Sequence, residues 1–340
     1  MAEEQIKKLS LADFKSNQEV RWCPGCGDHA ILNAVQKAMA ASGIERENFA
    51  VISGIGCSSR FPYYMNTYGI HGIHGRAAAI ASGTKCANPK LKIIQISGDG
   101  DALAIGGNHF IHLVRRNIDL TMILFNNEIY GLTKGQYSPT TKLGMKTKTS
   151  PHGTIEHPFH PGELVLGAQG KFFARSIDTN IRLTQKILQQ GFEHKGTKIV
   201  EILQNCVIYN DKTHALVTDK KNKDENQLHL EHGKPMVFGK NKDKGLVLDG
   251  FGFKVVKIGE NNVTIDDICI HDETEEKPFI HLMLANMAPP DFPVALGVIR
   301  AVKAHSYEDE LEAQIAEAQE NSNIKCMNDL LNSGNTWLVE

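Results

Sequence analysis

No apolar stretch of this chain approaches the roughly 20 residues that a membrane-spanning helix requires. Residues 1–8 are polar and lack the apolar core of a secretory signal peptide. The chain also has no large excess of positive or negative charge, since its formal net charge is only −2. This argues against nucleic acid or an anionic membrane as the main partner. There is no internal repeat or low-complexity tract. We therefore expect a cytoplasmic protein with neither nucleic acid nor a membrane among its partners.

The length and periodicity of the chain favour an α/β fold. With 340 residues it can form one large domain, alone or with a substantial extension. Short apolar strands alternate with segments of helical spacing, an order typical of a doubly wound parallel sheet. The predicted strands cover residues 49–55, 91–96, 120–125 and 198–203, and the predicted helices cover residues 28–39, 77–81, 103–115 and 179–190.

The composition of the chain changes after about residue 210. Residues 210–231 are polar and charged, which predicts a linker or surface loop, and residues 245–265 have glycine-punctuated β character. No chemical motif is recognisable further on. We therefore divide the chain into an α/β domain over residues 1–210 and a C-terminal extension over residues 211–340, which we expect to be a subunit-contact arm.

The most informative motif of the chain is Gly98-Asp99-Gly100-Asp101. It follows one predicted strand, and Asn127 follows the next strand along the chain. Because the carboxyl ends of parallel strands meet at one edge of a sheet, where ligands bind, these residues are expected to lie together. Glycines also let the backbone approach phosphate oxygens closely. The sequence therefore predicts a site for a magnesium diphosphate.

Three oxygen donors are the candidate magnesium ligands. Mg²⁺ takes few protein ligands and completes its octahedral shell with phosphate oxygens and water. Asp99 offers a carboxylate, Asn127 an amide oxygen and Ile129 a backbone carbonyl. Gly-Asp-Gly and Asn-Asn are each common in turns, so it is their joint placement at strand ends that indicates this site.

Four cysteines fall on loops at the same predicted edge. Cys23 and Cys26 form a Cys-x-x-Cys motif, Cys57 follows a predicted strand, and Cys206 follows another. Four thiolates suit either a 4Fe–4S cluster or a structural zinc ion, and their spacing does not separate iron from zinc. A redox dithiol would leave Cys57 and Cys206 unexplained.

Other candidate ligands follow weaker patterns. Cys86, Cys269 and Cys326 have no such setting and are interpreted as buried small hydrophobic residues. The three histidines of residues 151–161 are irregularly spaced among prolines, which favours a loop over a metal site.

The motifs occur together in one order. They are Trp22-Cys23-Pro24-Gly25-Cys26-Gly27, Gly54-Ile55-Gly56-Cys57-Ser58-Ser59-Arg60, His71-Gly72-Ile73-His74-Gly75-Arg76, the Gly98 motif, and Asn127-Glu128-Ile129-Tyr130-Gly131-Leu132-Thr133-Lys134-Gly135-Gln136. This set resembles the β subunit of the 2-oxoacid:ferredoxin oxidoreductases, densely over the first 210 residues and more loosely beyond. The resemblance implies an α/β fold of the thiamine diphosphate-binding type.

The resemblance also implies three cofactors: thiamine diphosphate, Mg²⁺ and one 4Fe–4S cluster. The family's four cluster ligands fall on Cys23, Cys26, Cys57 and Cys206, and its metal ligands on Asp99, Asn127 and Ile129. The expected cofactor contacts are Ile55, Gly56, Cys57, Ser58, His74, Gly98, Asp99, Gly100, Asp101, Asn127, Leu132 and Thr133.

Arg60 and His74 are candidates for catalysis, and Arg76 is a further candidate contact. Arg60 is expected to pair with a substrate carboxylate, for which its planar guanidinium is suited. His74 and Arg76 are expected to contact phosphate or substrate, although an arginine in either position can equally be a surface or interface charge. The glutamate that acts on the aminopyrimidine lies in the α subunit in this family, so we expect this chain to need that partner.

The implied reaction is the decarboxylation of a 2-oxoacid to acyl-CoA and CO₂, with electrons passed to ferredoxin. The length and residues 155–164 resemble the 2-oxoglutarate branch most closely, while pyruvate and branched-chain 2-oxoacids stay open. The competing interpretations are a non-redox thiamine carboligase whose cysteines hold zinc, and a structural zinc–thiol subunit without turnover.

Overall fold

The computed structural model describes residues 9–337 and residue 339 of the chain. Its strands are β1 (Phe49–Ser53), β2 (Tyr68–His71), β3 (Lys92–Gly98), β4 (Leu120–Asn126), β5 (Phe172–Ile177), β6 (Lys198–Leu203), β7 (Gln227–His229), β8 (Val237–Phe238), β9 (Lys244–Asp249), β10 (Gly252–Lys257) and β11 (Val294–Ala301). Its α-helices are α1 (Asp28–Ala41), α2 (Ala77–Ala87), α3 (Asp99–Leu103), α4 (Gly107–Arg116), α5 (Pro161–Gly167), α6 (Ile181–Glu193), α7 (Ala215–Thr218), α8 (Lys223–Asn226), α9 (Phe279–Asn286), α10 (Tyr307–Glu320) and α11 (Met327–Leu331).

The main sheet has the strand order β2-β1-β3-β4-β6-β5-β11-β7. Its neighbouring strands are parallel except for β5 and β11, which are antiparallel. Strands β1, β4, β5 and β6 are buried along their whole length, which is expected where helices cover both faces of a parallel sheet. The predicted doubly wound α/β fold is confirmed.

Helices pack on both faces of this sheet and form two apolar cores. One core contains residues of α2, α4, α5 and α9, including Leu113 and Leu284. The other contains residues of α1 and α6, including Ile31 and Ile187. No helix in the described part of the chain is long and apolar enough to cross a membrane.

The segment predicted as a polar linker over residues 210–231 is in part ordered and buried. It contains α7, α8 and β7, and β7 pairs in parallel with β11 at the edge of the main sheet. The interpretation as a surface loop is therefore wrong for β7, where Leu228 is fully buried. Strand β7 is removed from solvent because it pairs with β11, a buried strand that begins at Val294, far away in the sequence.

Strand β11 also lies beyond residue 210 and inserts between β5 and β7. The division of the chain at residue 210 stays a prediction, but the sheet itself draws on both sides of it. Strands β8, β9 and β10 form a separate antiparallel sheet within the C-terminal part.

The helix predicted over residues 103–115 begins earlier and is broken. Helix α3 ends at Leu103 and α4 begins at Gly107, with Ala104 in a non-helical conformation between them. A Cβ at Gly106 would collide with the backbone oxygens of Asp101 and Ala102, so only glycine fits this approach. Asp99, the first residue of α3, directly follows β3 and therefore lies at the sheet edge.

The parallel strands β1, β3, β4 and β6 bring four loops to one edge of the sheet. The loops after Ser53, Gly98, Asn126 and Leu203 therefore lie side by side. This is the edge at which ligands bind in open α/β sheets, and the sequence motifs lie on these loops.

Candidate functional site

A cavity of about 540 Å³ lies at this edge of the sheet. Its lining consists of Ile55, Gly56, Cys57, Ser58, His74, Gly98, Asp99, Gly100, Asp101, Asn127, Ile129, Tyr130, Gly131, Leu132, Thr133 and Gln136. The structure thus brings all twelve expected cofactor contacts to one cavity, together with the predicted metal ligand Ile129. Arg60 is not part of this lining.

Asp99 is buried at the start of α3, with 2% of its surface exposed. Its Oδ2 accepts hydrogen bonds from the hydroxyls of Ser138, at 2.6 Å, and Thr140, at 2.5 Å. Burial raises the pKa of Asp99 to about 6, against the lowering effect of these hydroxyls. A cation in the cavity would favour the ionised carboxylate.

The donors expected for magnesium face the same cavity. Asn127 and Ile129 are joined by a turn in which Oδ1 of Asn127 accepts from the backbone N–H of Ile129 at 3.1 Å. Glu128 between them has φ of 58°, and this left-handed conformation reverses the chain. A carboxylate, an amide and a carbonyl are the hard oxygen donors that Mg²⁺ prefers, so the donor set fits this ion.

Gly100 is required by close packing of Tyr130 over the start of α3. A Cβ at Gly100 would collide with the Tyr130 ring, and the Tyr130 hydroxyl donates to the Gly100 carbonyl at 3.0 Å. The Gly98 motif lines the cavity, and the Tyr130 ring covers Gly100 there. Glycine at position 100 is therefore explained by the packing of Tyr130.

The side chain of Asp101 has a role that the sequence did not reveal. It is 3% exposed and connects the loops after β1 and β2 to strand β3. Its Oδ1 accepts from the backbone N–H groups of Ile55, at 3.0 Å, and Gly75, at 2.7 Å, while Oδ2 accepts from Ser97 Oγ at 2.9 Å. From the sequence, Asp101 was expected only as a cofactor contact. Only the tertiary structure makes its side chain the common acceptor.

His74 is oriented by the same carboxylate. Its Nδ1 lies 2.8 Å from Oδ1 of Asp101, and because a carboxylate only accepts, Nδ1 carries the proton. The ring is 38% exposed and lines the cavity. Arg76 does not line the cavity, and it donates instead to the backbone carbonyls of His74 and Ile105.

Arg60 lies beside the Cys57 loop, in the 3-10 helix Ser58–Tyr64. Its Nε donates to the Tyr64 hydroxyl at 3.0 Å, and its guanidinium carbon lies 5.6 Å from the centre of the Tyr63 ring. The side chain is therefore held in place and half-buried. Its role in substrate binding stays a prediction.

The structure brings the four candidate cluster cysteines close to one another. The pKa of Cys57 is raised to about 12, mainly by burial. The negative charges of Asp28, Cys206 and Cys23 raise it further. Burial and the charges of Asp28, Cys206 and Cys57 likewise raise the pKa of Cys26. Such mutual effects require proximity.

Gly131 marks where two of these sulfurs meet the cofactor cavity. A Cβ on Gly131 would lie 3.5 Å from Sγ of Cys206 and 3.7 Å from Sγ of Cys57. Among the described residues, no three histidine, cysteine or acidic side chains converge on a single metal position. A 4Fe–4S cluster does not require this, because each thiolate binds a different iron. Thiols of raised pKa are deprotonated when they coordinate a metal.

Buried acids beside the cysteines were missed by sequence reasoning. The helix predicted from residue 28 does begin at Asp28, which follows the N-cap Gly27 and is 2% exposed. Burial, and then Asp178, raise the pKa of Asp28 to about 7, while a hydrogen bond with Cys26 lowers it. An acid two residues after Cys-x-x-Cys, at the start of an apolar helix face, was the available signal.

The hydroxyls that surround Asp99 come from the long loop after β4. Residues 127–160 contain no helix or strand in the structure, which agrees with the loop predicted around the histidines of residues 151–161 up to the start of α5 at Pro161. Ser138 and Thr140 nevertheless bury themselves against Asp99, and Thr141 donates to the Glu128 carbonyl at 2.6 Å. No local pattern distinguishes these hydroxyls from others in the loop.

The remaining cysteines differ from one another. Cys269 is half-buried against the apolar core, in line with the prediction for a small hydrophobic residue. Cys326 is exposed before α11, so the prediction that it is buried is wrong. Cys326 and Asp329 form a capping box there, which explains its position at the surface.

Comparison with known proteins agrees with this geometry. Residues 54–202 match the family model described as thiamine pyrophosphate enzyme, C-terminal TPP binding domain. The chain is 44% identical over 331 residues to the 2-oxoglutarate oxidoreductase subunit KorB of Mycobacterium tuberculosis, a match that covers 96% of this chain and 88% of that protein. It is 45% identical over 201 residues to the 2-oxoglutarate synthase subunit KorB of Archaeoglobus fulgidus, covering 58% of this chain and 75% of that protein.

A solved structure extends the similarity to the whole fold. It is the 2-oxoglutarate:ferredoxin oxidoreductase from Magnetococcus marinus with 2-oxoglutarate, coenzyme A and succinyl-CoA bound. One of its chains is 30% identical to this one, with a TM-score of 0.78 over 98% of both chains. The C-terminal part of the fold is therefore shared as well.

Proposed function

This chain belongs to the β subunits of the 2-oxoacid:ferredoxin oxidoreductases, and from this we propose that it is the cofactor-binding subunit of a 2-oxoglutarate:ferredoxin oxidoreductase. The thiamine diphosphate-binding domain accounts for residues 54–202. An α partner follows from membership of a multi-subunit family. The reaction converts 2-oxoglutarate and coenzyme A to succinyl-CoA and CO₂, and two electrons leave through the cluster.

One observation supports the redox assignment most strongly. Cys57 lines the thiamine cavity and also lies in the cysteine cluster, and Gly131 lies between the cavity and the sulfurs of Cys57 and Cys206. When bound, thiamine diphosphate supplies the nucleophilic carbon and the electron sink for decarboxylation. A 4Fe–4S cluster on Cys23, Cys26, Cys57 and Cys206 would lie against this cavity and could accept single electrons.

The residues of the chain position the cofactor rather than perform the chemistry. Asp99, Asn127 and the Ile129 carbonyl would hold Mg²⁺ on the diphosphate, for which their oxygen atoms are suited. Gly98 and Gly100 line the same cavity. Asp101 fixes His74 so that its Nε2 is left for phosphate or substrate at the cavity wall.

The substrate and acceptors rest on similarity and charge. Relatives named for 2-oxoglutarate favour that acid over pyruvate or a branched-chain 2-oxoacid. Arg60 would pair with a substrate carboxylate, where its planar guanidinium forms two parallel hydrogen bonds. Ferredoxin is the proposed electron acceptor. We further propose a cytoplasmic location, because the cysteines within the described residues are free thiols.

The experiment is anaerobic purification of the αβ complex, with analysis of iron, sulfide, zinc and thiamine. We expect about four irons per β chain, an electron paramagnetic resonance signal after dithionite reduction, and coenzyme A-dependent ferredoxin reduction with 2-oxoglutarate. Cys206→Ala should lose iron, whereas Cys269→Ala, the matched control, should retain it. Zinc without iron would overturn the redox function, and equal turnover of pyruvate would overturn the substrate assignment.

A further inference from the structure

Gln204, the first residue after β6, contacts the cysteine cluster through its side chain. The amide is buried, with 1% of the residue exposed. Its Nε2 lies 2.7 Å from the Asn205 carbonyl and 3.3 Å from Sγ of Cys26. Because a carbonyl only accepts, the atom beside it must be the amide nitrogen. One N–H is used by that carbonyl, and the second is directed at the Cys26 sulfur.

The other end of this amide has no structural partner. Within the described residues, the buried Oε1 of Gln204 accepts no hydrogen bond. A buried acceptor without a partner lowers the stability of the folded state. The stability of the fold alone therefore does not explain a glutamine at this position. Its contact with Cys26 gives the residue another role.

We propose that Gln204 tunes the reduction potential of the cluster by donating its amide N–H to the Cys26 thiolate. This inference rests on the proposed function, in which Cys26 is a cluster ligand. A hydrogen bond to a ligand sulfur withdraws electron density from it, and this favours the reduced cluster, which carries one more negative charge. Gln204 is thus a positioning residue that touches no substrate.

The surroundings explain why one hydrogen bond should be effective. Asp28 and Asp178 are buried beside Cys26, and the Asp178 carboxylate accepts from the backbone N–H of Asn205 at 2.7 Å. Acidic groups near a cluster oppose its reduction, and burial strengthens electrostatic effects. A neutral donor to the Cys26 sulfur would offset part of that repulsion without introducing a titratable charge.

The test compares midpoint potentials in the anaerobically purified αβ complex by redox titration followed with electron paramagnetic resonance. Gln204→Met keeps a similar volume and removes the donor. Gln36→Met is the matched control, because Gln36 is also buried and its Nε2 also donates to a carbonyl and a sulfur, those of Tyr64 and Met65. Met65 is not a cluster ligand.

We expect Gln204→Met to shift the one-electron reduction equilibrium towards the oxidised cluster by up to about tenfold, equivalent to about 59 mV. Gln204→Glu should shift it further, since it replaces the donor with an acid of the same shape. Gln36→Met should leave the potential unchanged. The iron content should stay that of the wild type in all three variants.

Two results would overturn the inference. One is an equal potential in the wild type and both Gln204 variants, with the cluster intact. The other is loss of iron from the Gln204 variants but not from Gln36→Met, because Gln204 would then be needed for assembly instead. A wild-type complex without iron would be a failure of the proposed function itself, and the iron analysis separates that case from the first two.

Discussion

The Asp101 carboxylate accepts a hydrogen bond from the Nδ1–H group of His74, with 2.8 Å between Oδ1 and Nδ1. The same oxygen accepts backbone N–H groups of Ile55 and Gly75, so one buried carboxylate fixes the loops after β1 and β2 around the cavity. The orientation of His74 and the shape of the cavity therefore depend on the same group.

We expect Asp101→Ala to weaken thiamine diphosphate binding at least about tenfold and to destabilise the fold by about 2–4 kcal/mol, because several buried donors lose their acceptor. Asp101→Asn should be milder. The Ser97 hydroxyl can accept from an amide, which preserves the geometry and removes only the charge. Calorimetric titration with thiamine diphosphate and Mg²⁺, together with urea unfolding, measures both effects. Equal losses in the two variants would contradict this geometric role.

A second prediction concerns Gly131. Gly131→Ala would place a methyl group beside the sulfurs of Cys57 and Cys206, in space that a cluster would need. We expect substoichiometric iron with nearly unchanged stability of the apo chain, because contacts of 3.5 Å and 3.7 Å are ordinary without the cluster. Gly83→Ala in α2, where a Cβ would have no neighbour within 4 Å, is the control and should retain iron. Full iron loading of Gly131→Ala would refute this placement.

A third prediction concerns a buried cluster of charged side chains at the amino ends of the parallel strands, opposite the cavity. Asp119 pairs with Lys198 Nζ at 2.5 Å and with Lys85 Nζ at 3.2 Å, and all three side chains are nearly inaccessible. Burial by itself would raise the pKa of Asp119, but the charge and hydrogen bond of Lys198 hold that pKa well below its usual range. We expect Asp119→Asn to reduce the free energy of unfolding by about 3–5 kcal/mol, since it leaves two ammonium groups without their counter-charge.

The control for Asp119 is a surface pair of the same type. Glu225 and Lys244 are 2.7 Å apart but partly exposed, so Glu225→Gln should cost less than about 1 kcal/mol. Denaturant unfolding of both variants checks the difference. Similar costs at the two sites would contradict the importance of burial.

A fourth prediction concerns stability at acid pH. His271 is fully buried, and its Nε2 donates to the Val298 carbonyl at 2.9 Å while Nδ1 has no partner among the described residues. Burial lowers the pKa of His271 to about 4 from its usual value of 6.5, and His281, His232 and Asp272 have smaller effects.

Because the unfolded chain takes up a proton on His271 at higher pH than the native chain, the free energy of unfolding must fall as the pH is lowered from 6.5 towards 4. The contribution of this one group is up to about 3 kcal/mol, at about 1.4 kcal/mol per unit of pKa. His271→Gln should flatten that dependence, whereas His305→Gln, at an exposed position, should not. Unfolding by urea at a series of pH values measures the slopes. An unchanged slope in His271→Gln would contradict the assignment.

Much of the site was predictable because its motifs are local. Gly98, Asp99 and Asn127 each follow an apolar strand, and parallel strands necessarily bring such ends to one edge. The same reasoning located Cys23, Cys26, Cys57 and Cys206 on neighbouring loops, where the structure places them. Pairing β7 with β11 could not be predicted in this way, because the two strands are separated by more than 60 residues and β7 has only three residues.

The sequence by itself determined the α/β class, the loops that form the site and the residue types that face the cofactor, since periodicity and turn chemistry act over a few residues. Only the tertiary structure decided what surrounds those residues. Asp101 became the common acceptor for the loops after β1 and β2 and for Ser97 of β3, Ser138 and Thr140 enclosed Asp99, and Gln204 reached Cys26 from almost 180 positions away in the chain. Burial and hydrogen bonding between distant segments depend on how the layers pack, and no local pattern encodes them.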